Sequence, residues 1–363
     1  MRLGVAAAVV DGVLLRGDVE VADGRIAAVG LNGAGGSGTA IPGLVDLQVN
    51  GFGGVDFASA DTAAYRRAGE TLLECGVTAY QPTLITAPED ELVAALAEVP
   101  REPDGPRIVG AHLEGPFLSP LRLGAHPVAA RREPDVGLLE RLLDAGPVSE
   151  MTLAPELDGA LELIDRLNER GVVVSCGHSD ATAEQANRAF DRGAATVTHL
   201  FNAMRPLGHR DPGIAGAALA RDDVVVQLIL DGHHLAEETV RVVWRAAVGR
   251  VALVSDAVAA AGIGDGTFRL GSVDVEVRDG VVRRGDGVLA GSSLTVLDGV
   301  RYLHTLGASL SEAVDAATAV PARVVRRPDL GSLAPGAPAD VVVLDDALEL
   351  RTVLVGGVVR VAA

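Results

Sequence analysis

Eight apolar runs, each followed by a segment with helical spacing, constrain the fold of this chain more than any other sequence feature. The runs are rich in Val, Leu, Ile and Ala and lie between Ile41 and about Val258: IPGLVDLQVN, GVTAYQPTL, RIVGAHLEGP, VSEMTLAPE, GVVVSCGHS, AATVTHLFN, VVVQLILDG and VALVSDAV. Near-continuous apolarity is typical of parallel strands that are covered on both faces. Eight βα units predict an α/β fold in which residues 41–330 form a closed (β/α)8 TIM barrel.

The two ends of the chain show a different pattern of short strands and turns. Residues 1–40 contain an Asp-Gly hairpin signal in VADGRIAAVG, and residues 331–363 resemble them. Neither end is long enough to bury a core of its own, so we predict that they join into one small β-sandwich domain beside the barrel. After the eighth strand, a β-hairpin insertion is predicted near residues 267–291, and helices are predicted around residues 293–306 and 311–325.

Composition and charge exclude several classes of function. No apolar run reaches the ~20 residues of a membrane span, and Asp11 interrupts the apolar N-terminal stretch, which we interpret as a strand and not as a signal peptide. The net charge is −18, the sequence has no lysine, and no run of arginines provides the basic face that a nucleic-acid partner requires. The two cysteines, Cys75 and Cys176, fit a reducing compartment, so a cytoplasmic protein is expected.

Polar residues stand at the carboxyl ends of most predicted barrel strands, where barrel enzymes build their active sites. They are Gln48 and Asn50 on strand one, Glu114 on strand three, His178 on strand five, His199 on strand six, Asp231 on strand seven and Asp256 on strand eight. Two imidazoles and a carboxylate with an open position for water are typical of a catalytic zinc-type site. We therefore predict that Glu114, His178 and His199 hold a divalent metal. A metal-free sugar-binding barrel is the alternative.

Asp256 lies where a carboxylate can take a proton from water and return it to a leaving amine. It is therefore the predicted general acid/base, and the alternative is a structural bond to a loop. His112 and Cys176 each precede a predicted ligand by two residues, so they are expected to point into the barrel below those ligands. His209 and His304 are interpreted as surface or structural residues.

Six motifs, in order along the chain, carry a resemblance to a known family. They are HLEGPFLSP at 112–120, GHSDAT at 177–182, THLFNAM at 198–204, LDGHH at 230–234, VSDA at 254–257 and LAGSSLT at 289–295. With PGLVDL near the start and GSLAPGAPADVVVLD near the end, they cover nearly the whole chain. Together they resemble the N-acetylglucosamine-6-phosphate deacetylases of the amidohydrolase superfamily. Each motif alone is weakly specific, but HLEGPF, GHS and THLFNAM in this order are specific to the deacetylases.

The resemblance implies roles in catalysis and substrate binding. Asp256 is similar to the family's general acid/base, and His126 to the histidine that contacts the acetyl carbonyl and the sugar. Asn202 and Ala203 match the substrate-binding part of the NAM motif.

The resemblance also implies a phosphate site and a homodimer. Arg210 lies where the family has a phosphate-binding arginine, and Arg205 on the same predicted loop is the alternative candidate. His234 matches the residue that reaches the phosphate, in the family from the neighbouring subunit, and the adjacent His233 is the alternative. A homodimer in which His234 serves the partner's site is therefore expected.

Strand one departs from the wider superfamily, in which many members carry His-x-His and bind a second metal there. This chain has Gln48 and Asn50 at those positions, as some deacetylases of the family do. Because neutral amides are poor ligands for zinc, we expect one divalent metal per chain. Zinc is the first expectation, and a site of this type also accepts iron, manganese or cobalt.

The predicted reaction is hydrolysis of the acetamide of N-acetylglucosamine 6-phosphate to glucosamine 6-phosphate and acetate. The galactosamine epimer is the alternative substrate. A dihydroorotase or hydantoinase type is a further alternative enzyme, but it favours His-x-His on strand one and often a carbamylated lysine, and this sequence has neither. A non-catalytic sensor of amino-sugar phosphates would predict loss of Asp256 or of a ligand, and all are present. The sequence leaves open whether the product is recycled or made for cell-wall precursors.

Overall fold

The computed structural model describes residues 1–32, 36–101 and 103–362. In these residues the strands are, in chain order, β1 Ala7–Val10, β2 Val13–Arg16, β3 Asp18–Ala22, β4 Arg25–Leu31, β5 Thr39–Pro42, β6 Leu44–Val49, β7 Gly51–Phe52, β8 Val55–Asp56, β9 Val77–Ile85, β10 Arg107–Ile108, β11 Ala111–Glu114, β12 Val148–Leu153, β13 Val173–Cys176, β14 Thr196–Val197, β15 Val225–Leu228, β16 Val251–Leu253, β17 Gly266–Leu270, β18 Val273–Arg278, β19 Val281–Arg284, β20 Val341–Leu344, β21 Leu350–Val355 and β22 Val358–Ala362. The α-helices are α1 Thr62–Glu74, α2 Glu89–Glu98, α3 Val136–Ala145, α4 Ala160–Glu169, α5 Ala183–Asp191, α6 Gly213–Leu219, α7 Glu237–Ala246, α8 Val296–Thr305, α9 Leu310–Asp315 and α10 Ala319–Val324. Phe57–Ser59 and Val128–Ala130 form short 3-10 helices.

The barrel is a parallel sheet of eight strand positions. β6 pairs with β9, β10 and β11 pair in succession with β9, and the order then continues β12, β13, β14, β15 and β16. The last and first positions meet through a parallel bridge between Val49 and Ala257 and through the Ser255 hydroxyl, which donates to the carbonyl of Gln48. The predicted (β/α)8 barrel is confirmed.

Helices α1 to α8 follow the eight strand positions and cover the barrel with one apolar face each. In α5, Thr182 caps the first turn by accepting from the backbone N–H of Gln185, whose side chain accepts from the N–H of Thr182. The helix then buries Ala186, Ala189 and Phe190 at helical spacing. Side-chain caps also begin α1 at Asp61, α3 at Asp135 and α8 at Thr295, and they help to fix the length of the loops before these helices.

Strands from both ends of the chain form a six-stranded sheet in the order β2-β1-β5-β20-β21-β22. β5 joins the two ends, because it pairs parallel with β1 and antiparallel with β20. A separate sheet of β3 and β4 contributes Val19, Val21 and Ile26 to the core shared with Val341 and Leu354. These flanking sheets agree with the predicted fold class, while the exact division into domains at residues 40 and 331 stays a prediction.

The insertion after strand eight has one strand more than the predicted hairpin. β17, β18 and β19 form a three-stranded antiparallel sheet. The second turn is at Asp279 and Gly280, which both have positive φ, as a two-residue hairpin turn of the Asp-Gly type requires. Leu270, Val275 and Ala290 of this insertion pack against Ile85 and Val258 near the carboxyl ends of barrel strands. The insertion therefore covers one side of the barrel mouth.

No helix in the described ranges combines the length and the apolar composition that crossing a membrane would need.

Candidate active site

The carboxyl ends of four barrel strands bring four predicted site residues together. Glu114 ends β11, and His178, His199 and Asp256 follow the ends of β13, β14 and β16 within three residues. His178, His199 and Asp256 have φ of 47°, 30° and 49°, in the left-handed region that few residues other than glycine adopt. Residues held in such sparsely populated backbone conformations are typical of functional sites.

Glu114, His178 and His199 place three ligand atoms within 4.8 Å of one another. Nε2 of His178 lies 3.0 Å from Oε1 of Glu114 and 3.1 Å from Nε2 of His199, and the latter lies 2.9 Å from the same carboxylate oxygen. All three residues are buried. The described part of the chain has no other comparable cluster of three metal-binding side chains.

The hydrogen bonding of His178 favours a cation between these atoms. Nδ1 of His178 lies 2.9 Å from the carbonyl oxygen of Arg122, which can only accept, so Nδ1 carries the proton. In the neutral imidazole, Nε2 then presents a lone pair to the Glu114 carboxylate, and two acceptors at 3.0 Å repel each other unless a cation lies between them. Because metal-bound histidines are oriented in this way by a backbone carbonyl, the residues fit a divalent metal.

The electrostatics of the cluster agree with this assignment. Although burial raises the pKa of Glu114, the neighbouring imidazoles of His126, His178 and His199 hold it well below its usual range, so the carboxylate is ionised. Burial lowers the pKa of His199, but the Glu114 carboxylate outweighs it and raises that pKa. The site therefore attracts positive charge, from a metal or, in its absence, from a proton.

Asp256 faces the same cavity from the eighth strand. Its Oδ1 accepts from the side-chain amide of Asn50 at 2.7 Å. Burial and the nearby Glu114 charge raise the pKa of Asp256 to about 6, against the lowering effect of His199, His234 and Asn50. A carboxylate with a pKa this close to neutrality can take up a proton and release it within one reaction cycle.

The two strand-one amides hold the two acidic groups of the site. Gln48 donates its Nε2 hydrogen to Oε1 of Glu114 at 3.2 Å, and Asn50 donates to Asp256. The amide oxygens of both residues are buried and have no hydrogen-bond partner among the described residues. The sequence predicted that both amides lie at the barrel mouth. It could not predict which acid each amide contacts, because the contacting residues lie 66 and 206 positions apart in the chain.

His126 lies on the loop after β11 and contacts the cavity with its Nε2 edge. The backbone N–H of Thr86 donates to Nδ1 of His126, and the Thr86 hydroxyl lies 2.9 Å from the same nitrogen. Because a backbone N–H can only donate, Nδ1 accepts and Nε2 carries the proton, 3.6 Å from Oε2 of Glu114. Burial and the neighbouring His178 lower the pKa of His126 to about 4, so it is a neutral donor. Thr86, which sets this tautomer, carried no signal in the sequence.

A cavity of about 330 Å³ joins these groups at the barrel mouth. Besides the ligands and Asp256, its lining residues are Asn50, Ile85, Gly124, Ala125, His126, Asn202, Ala203, Ile229, His234, Leu270, Val288, Leu289, Ala290 and Gly291. Asn202, Ala203 and His234, to which the resemblance assigns substrate binding, therefore line this cavity. The sequence did not predict the apolar wall from Leu270 and Val288–Gly291, because it depends on how the insertion packs.

His234, and not His233, lines the cavity. Asp231 fixes it, since Oδ2 lies 2.7 Å from Nδ1 of His234 and Oδ1 accepts from the backbone N–H groups of His233 and His234 at 2.9 Å. His233 is exposed. His234 lies in the cavity of its own chain beside Asp256, which differs from the expectation that it serves the partner's site.

The two candidate phosphate arginines differ sharply. Arg205 donates to both sides of the loop, to Asp211 at 2.6 and 2.9 Å and to Asp180 at 3.1 Å, and Asp180 also accepts from Arg122. The side chain of Arg205 is therefore already used in ion pairs that connect the loops at the barrel mouth. Arg210 is exposed, makes no ion pair with the residues that the structure describes, and does not line the cavity of its own chain.

The structure also gives the positions of four residues that the sequence analysis assigned no direct role in the site. His112 is buried, with Nε2 2.7 Å from the hydroxyl of Thr152, and Cys176 is buried in the main core. His209 is exposed, and His304 on α8 contacts the carbonyl of Ala308 through Nδ1.

Known proteins resemble this chain over nearly its full length. The family described as "Amidohydrolase family" matches residues 39–360. An N-acetylglucosamine-6-phosphate deacetylase of Vibrio furnissii is 37% identical over 325 residues, which is 87% of this chain and 82% of that protein. An N-acetylgalactosamine-6-phosphate deacetylase of Escherichia coli O157:H7 is 37% identical over 329 residues, 87% of this chain and 86% of that protein.

A solved structure is similar over the whole chain as well. It is a variant of N-acetyl-D-glucosamine-6-phosphate deacetylase from Mycobacterium smegmatis in complex with N-acetyl-D-glucosamine-6-phosphate. The TM-score is 0.93 at 38% identity, and the match covers 100% of this chain and 99% of that one.

Proposed function

The chain belongs to the amidohydrolase family, among its N-acetylglucosamine-6-phosphate deacetylases, and from this premise we propose how its own residues perform the reaction. The enzyme hydrolyses the acetamide of N-acetylglucosamine 6-phosphate to glucosamine 6-phosphate and acetate. The observation that carries the residue assignment is the convergence of Glu114, His178 and His199 beside Asp256 in one buried cavity.

Glu114, His178 and His199 would hold one divalent metal, with zinc as the proposed ion. Bound there, the metal supplies Lewis acidity, which makes water a usable nucleophile near neutral pH. The lone pair that His178 presents to the Glu114 carboxylate supports this ligand set. The proposal of a single metal rests on Gln48 and Asn50, whose side-chain N–H groups already donate to the two acids.

Asp256 and His126 would perform the proton transfer and the polarisation. Asp256 takes a proton from the attacking water on its carboxylate while Asn50 holds Oδ1. His126 donates its Nε2 hydrogen to the acetyl carbonyl oxygen, which develops negative charge as the tetrahedral centre forms. Asp256 then gives the proton to the sugar nitrogen, the C–N bond breaks, and acetate leaves.

Acetate release from two phosphosugars, before and after chelation, tests the function. We expect release from N-acetylglucosamine 6-phosphate, its loss on chelation, and its return when a divalent metal is added. N-acetylgalactosamine 6-phosphate is the parallel substrate, because the E. coli relative carries that name. Preference for the galactosamine epimer would select the alternative substrate, and no release from either would leave the sensor hypothesis.

Arg210 is the proposed phosphate ligand. The chain carries −18 and no lysine, so a local arginine must hold a substrate that brings nearly two negative charges. Arg210→Ala is expected to lose about 1.5–3 kcal/mol of transition-state binding, roughly ten- to a hundredfold in kcat/KM for the phosphorylated sugar. The poor activity on unphosphorylated N-acetylglucosamine should barely change.

Arg205→Ala is the matched control for this prediction. Because Arg205 is tied to Asp180 and Asp211, its loss should loosen the mouth loops and lower activity on both substrates together. An equal loss on both substrates in Arg210→Ala would show that Arg210 also supports the loop, and the phosphate would then be assigned to His234 and its neighbours.

We propose a homodimer in which Arg210 serves the partner's site. Arg210 is exposed and lies outside its own cavity, whereas His234 lines it. On the mouth loops, Leu121, Val128 and Leu207 expose 72%, 76% and 48% of their surface, which favours coverage by another subunit. The expectation of a shared site is therefore transferred from His234 to Arg210.

Mixing two impaired variants tests the shared site. Equal amounts of Asp256→Asn and Arg210→Ala should form mixed dimers in half of the population, each with one intact site, so activity should recover to about a quarter of that of the unmodified enzyme. Asp256→Asn mixed with His234→Ala is the control and should not recover, because both residues serve the same chain's site. No recovery in the first mixture, despite demonstrated subunit exchange, would exclude the shared site.

A cytoplasmic location is proposed as well. Support comes from Cys75 and Cys176, which are both free thiols, and from a substrate that carries a phosphate.

A further inference from the structure

A second cleft lies at the opposite end of the barrel from the active site. It has a volume of about 490 Å³, larger than the cavity at the mouth, and is lined by Arg101, Pro103, Asp104, Gly105, Arg107, Ile108, Arg327, Val355, Gly356, Val358 and Arg360. β10 begins the third barrel strand here, and the turn between β21 and β22 of the six-stranded sheet closes the other side. We call this the basal cleft.

Four arginines converge in the basal cleft although they are far apart in the sequence. Arg101 lies in the loop between α2 and β10, Arg107 begins β10, Arg327 follows α10, and Arg360 lies on β22. Three of the four pair with Asp340, Asp329 and Asp104, so this group of described residues has a small positive charge in a chain whose net charge is −18. Each of these three arginines is held by one aspartate, and one of the aspartates, Asp104, itself lines the cleft.

Among the residues that the structure describes, the ion pairs leave the same nitrogen, Nη1, of three arginines without a partner. Arg107 donates Nε and Nη2 to Asp340 at 2.8 and 3.1 Å, and Arg327 donates Nε and Nη2 to Asp329 at 2.7 and 2.6 Å. Arg360 donates Nη2 to Asp104 at 2.9 Å.

In the part of the chain that the structure describes, Nη1 of all three makes no hydrogen bond, and each side chain remains about a third exposed at 36%, 38% and 33%.

Two of the arginines, Arg107 and Arg327, are also close enough to repel each other. Asp340 raises the pKa of the Arg107 guanidinium, while the nearby positive charge of Arg327 acts in the opposite direction. Gly356 brings the backbone against them, since a Cβ at this position would lie 4.0 Å from Nη2 of Arg107. Like charges held side by side around a cavity are relieved when an anion with several oxygens bridges them.

We propose that the basal cleft binds a small phosphate dianion through the Nη1 groups of Arg107, Arg327 and Arg360. The ligand is free phosphate or the phosphate of a small ester. The ion pairs of Arg107 with Asp340 and of Arg360 with Asp104 join distant parts of the chain without using an Nη1 group. A purely structural role of the arginines therefore does not account for the Nη1 donors of three arginines that line one cleft.

Calorimetric titration of the metal-loaded full chain with inorganic phosphate tests the site. The parent for the titration is the double variant Arg210→Ala/His234→Ala, so that phosphate at the barrel mouth does not contribute. We expect it to bind one phosphate per chain with a Kd of about 1 mM or tighter. Adding Arg327→Gln or Arg360→Gln should weaken this binding tenfold or more, since each removes a charged donor.

Arg278→Gln is the matched control, because Arg278 is an arginine of the insertion that pairs locally with Glu276. It should leave phosphate binding unchanged. Unaltered binding in Arg327→Gln and Arg360→Gln, or no binding by the parent, overturns the proposal even if the two variants melt at a lower temperature.

Titration with glucosamine 6-phosphate distinguishes the sources. Binding as tight as that of phosphate indicates an ester site, and binding of inorganic phosphate alone indicates a free-phosphate site. Because dependence on Arg327 and Arg360 identifies the cleft, the result does not depend on the reaction at the barrel mouth.

Discussion

Replacing Asp256 by asparagine is expected to remove nearly all turnover and to leave the fold and the metal in place. The amide has almost the same shape and keeps an oxygen for the Asn50 hydrogen bond, but it cannot accept a proton from water. Loss of a general base lowers the rate by 10²–10⁴-fold or more, so acetate release from Asp256→Asn should fall by about this factor. Metal content and melting temperature should match those of the unmodified enzyme.

The pH dependence of the unmodified enzyme should report the same group. Burial raises the pKa of Asp256 to about 6, and the base works only when ionised. kcat/KM should therefore rise with pH and level off above about pH 6. A nearby bound cation favours the ionised carboxylate and so moves this acidic limb of the profile to lower pH. In Asp256→Asn this acidic limb should be missing from the residual rate.

Asp46→Asn is the matched control, because it replaces another buried aspartate of the barrel by asparagine. Burial raises the pKa of Asp46 to about 7, and its carboxyl contacts the backbone of Gln48 and Ser255 without lining the cavity. Its turnover should stay within a few-fold of normal. Near-normal acetate release from Asp256→Asn would remove Asp256 from the mechanism.

Much of the site could be predicted because barrel closure converts sequence order into proximity. Each apolar run predicts a parallel strand, and all parallel strands of a barrel end at the same mouth. The polar residues that follow the runs must therefore meet, which is why Glu114, His178, His199 and Asp256 could be grouped without coordinates.

The contacts between those residues could not be predicted, because they depend on side-chain directions and loop packing. The donation from Asn50 to Asp256 joins residues 206 positions apart, and the contact of Thr86 with His126 joins residues 40 positions apart. Arg210 shows the same limit, since its motif places it on a mouth loop, but only the structure shows that it is exposed and outside the cavity.

The helices that follow the barrel differ from the sequence prediction, and the reason is local. A single helix around residues 311–325 was predicted, and the structure has two, α9 and α10, separated at Ala316–Thr318. Pro321 lacks a backbone N–H and clashes with the preceding turn inside a helix, but it is tolerated in the first turn. A second helix that begins at Ala319 puts Pro321 in that turn.

The second large effect is expected at the metal. His199→Ala should lose most of the bound metal, and its turnover should fall by more than about 10³-fold. Lewis-acid stabilisation of the transition state is worth several kcal/mol, and ~4 kcal/mol corresponds to that factor in rate. The variant should melt at a lower temperature than the loaded enzyme, since an ion that binds only the native state stabilises it. Acetate release and elemental analysis of the same preparations measure both quantities.

His209→Ala is the matched control, because His209 is exposed and does not line the cavity, and it should keep both metal and activity. The unmodified enzyme should contain one metal per chain. A second ion would need ligands from strand one, where Gln48 and Asn50 offer only neutral amide oxygens and use their N–H groups on Glu114 and Asp256. Two metals per chain would show that these amides rotate to bind the second ion, and the hydrogen bond that holds Asp256 would then have to be reassigned.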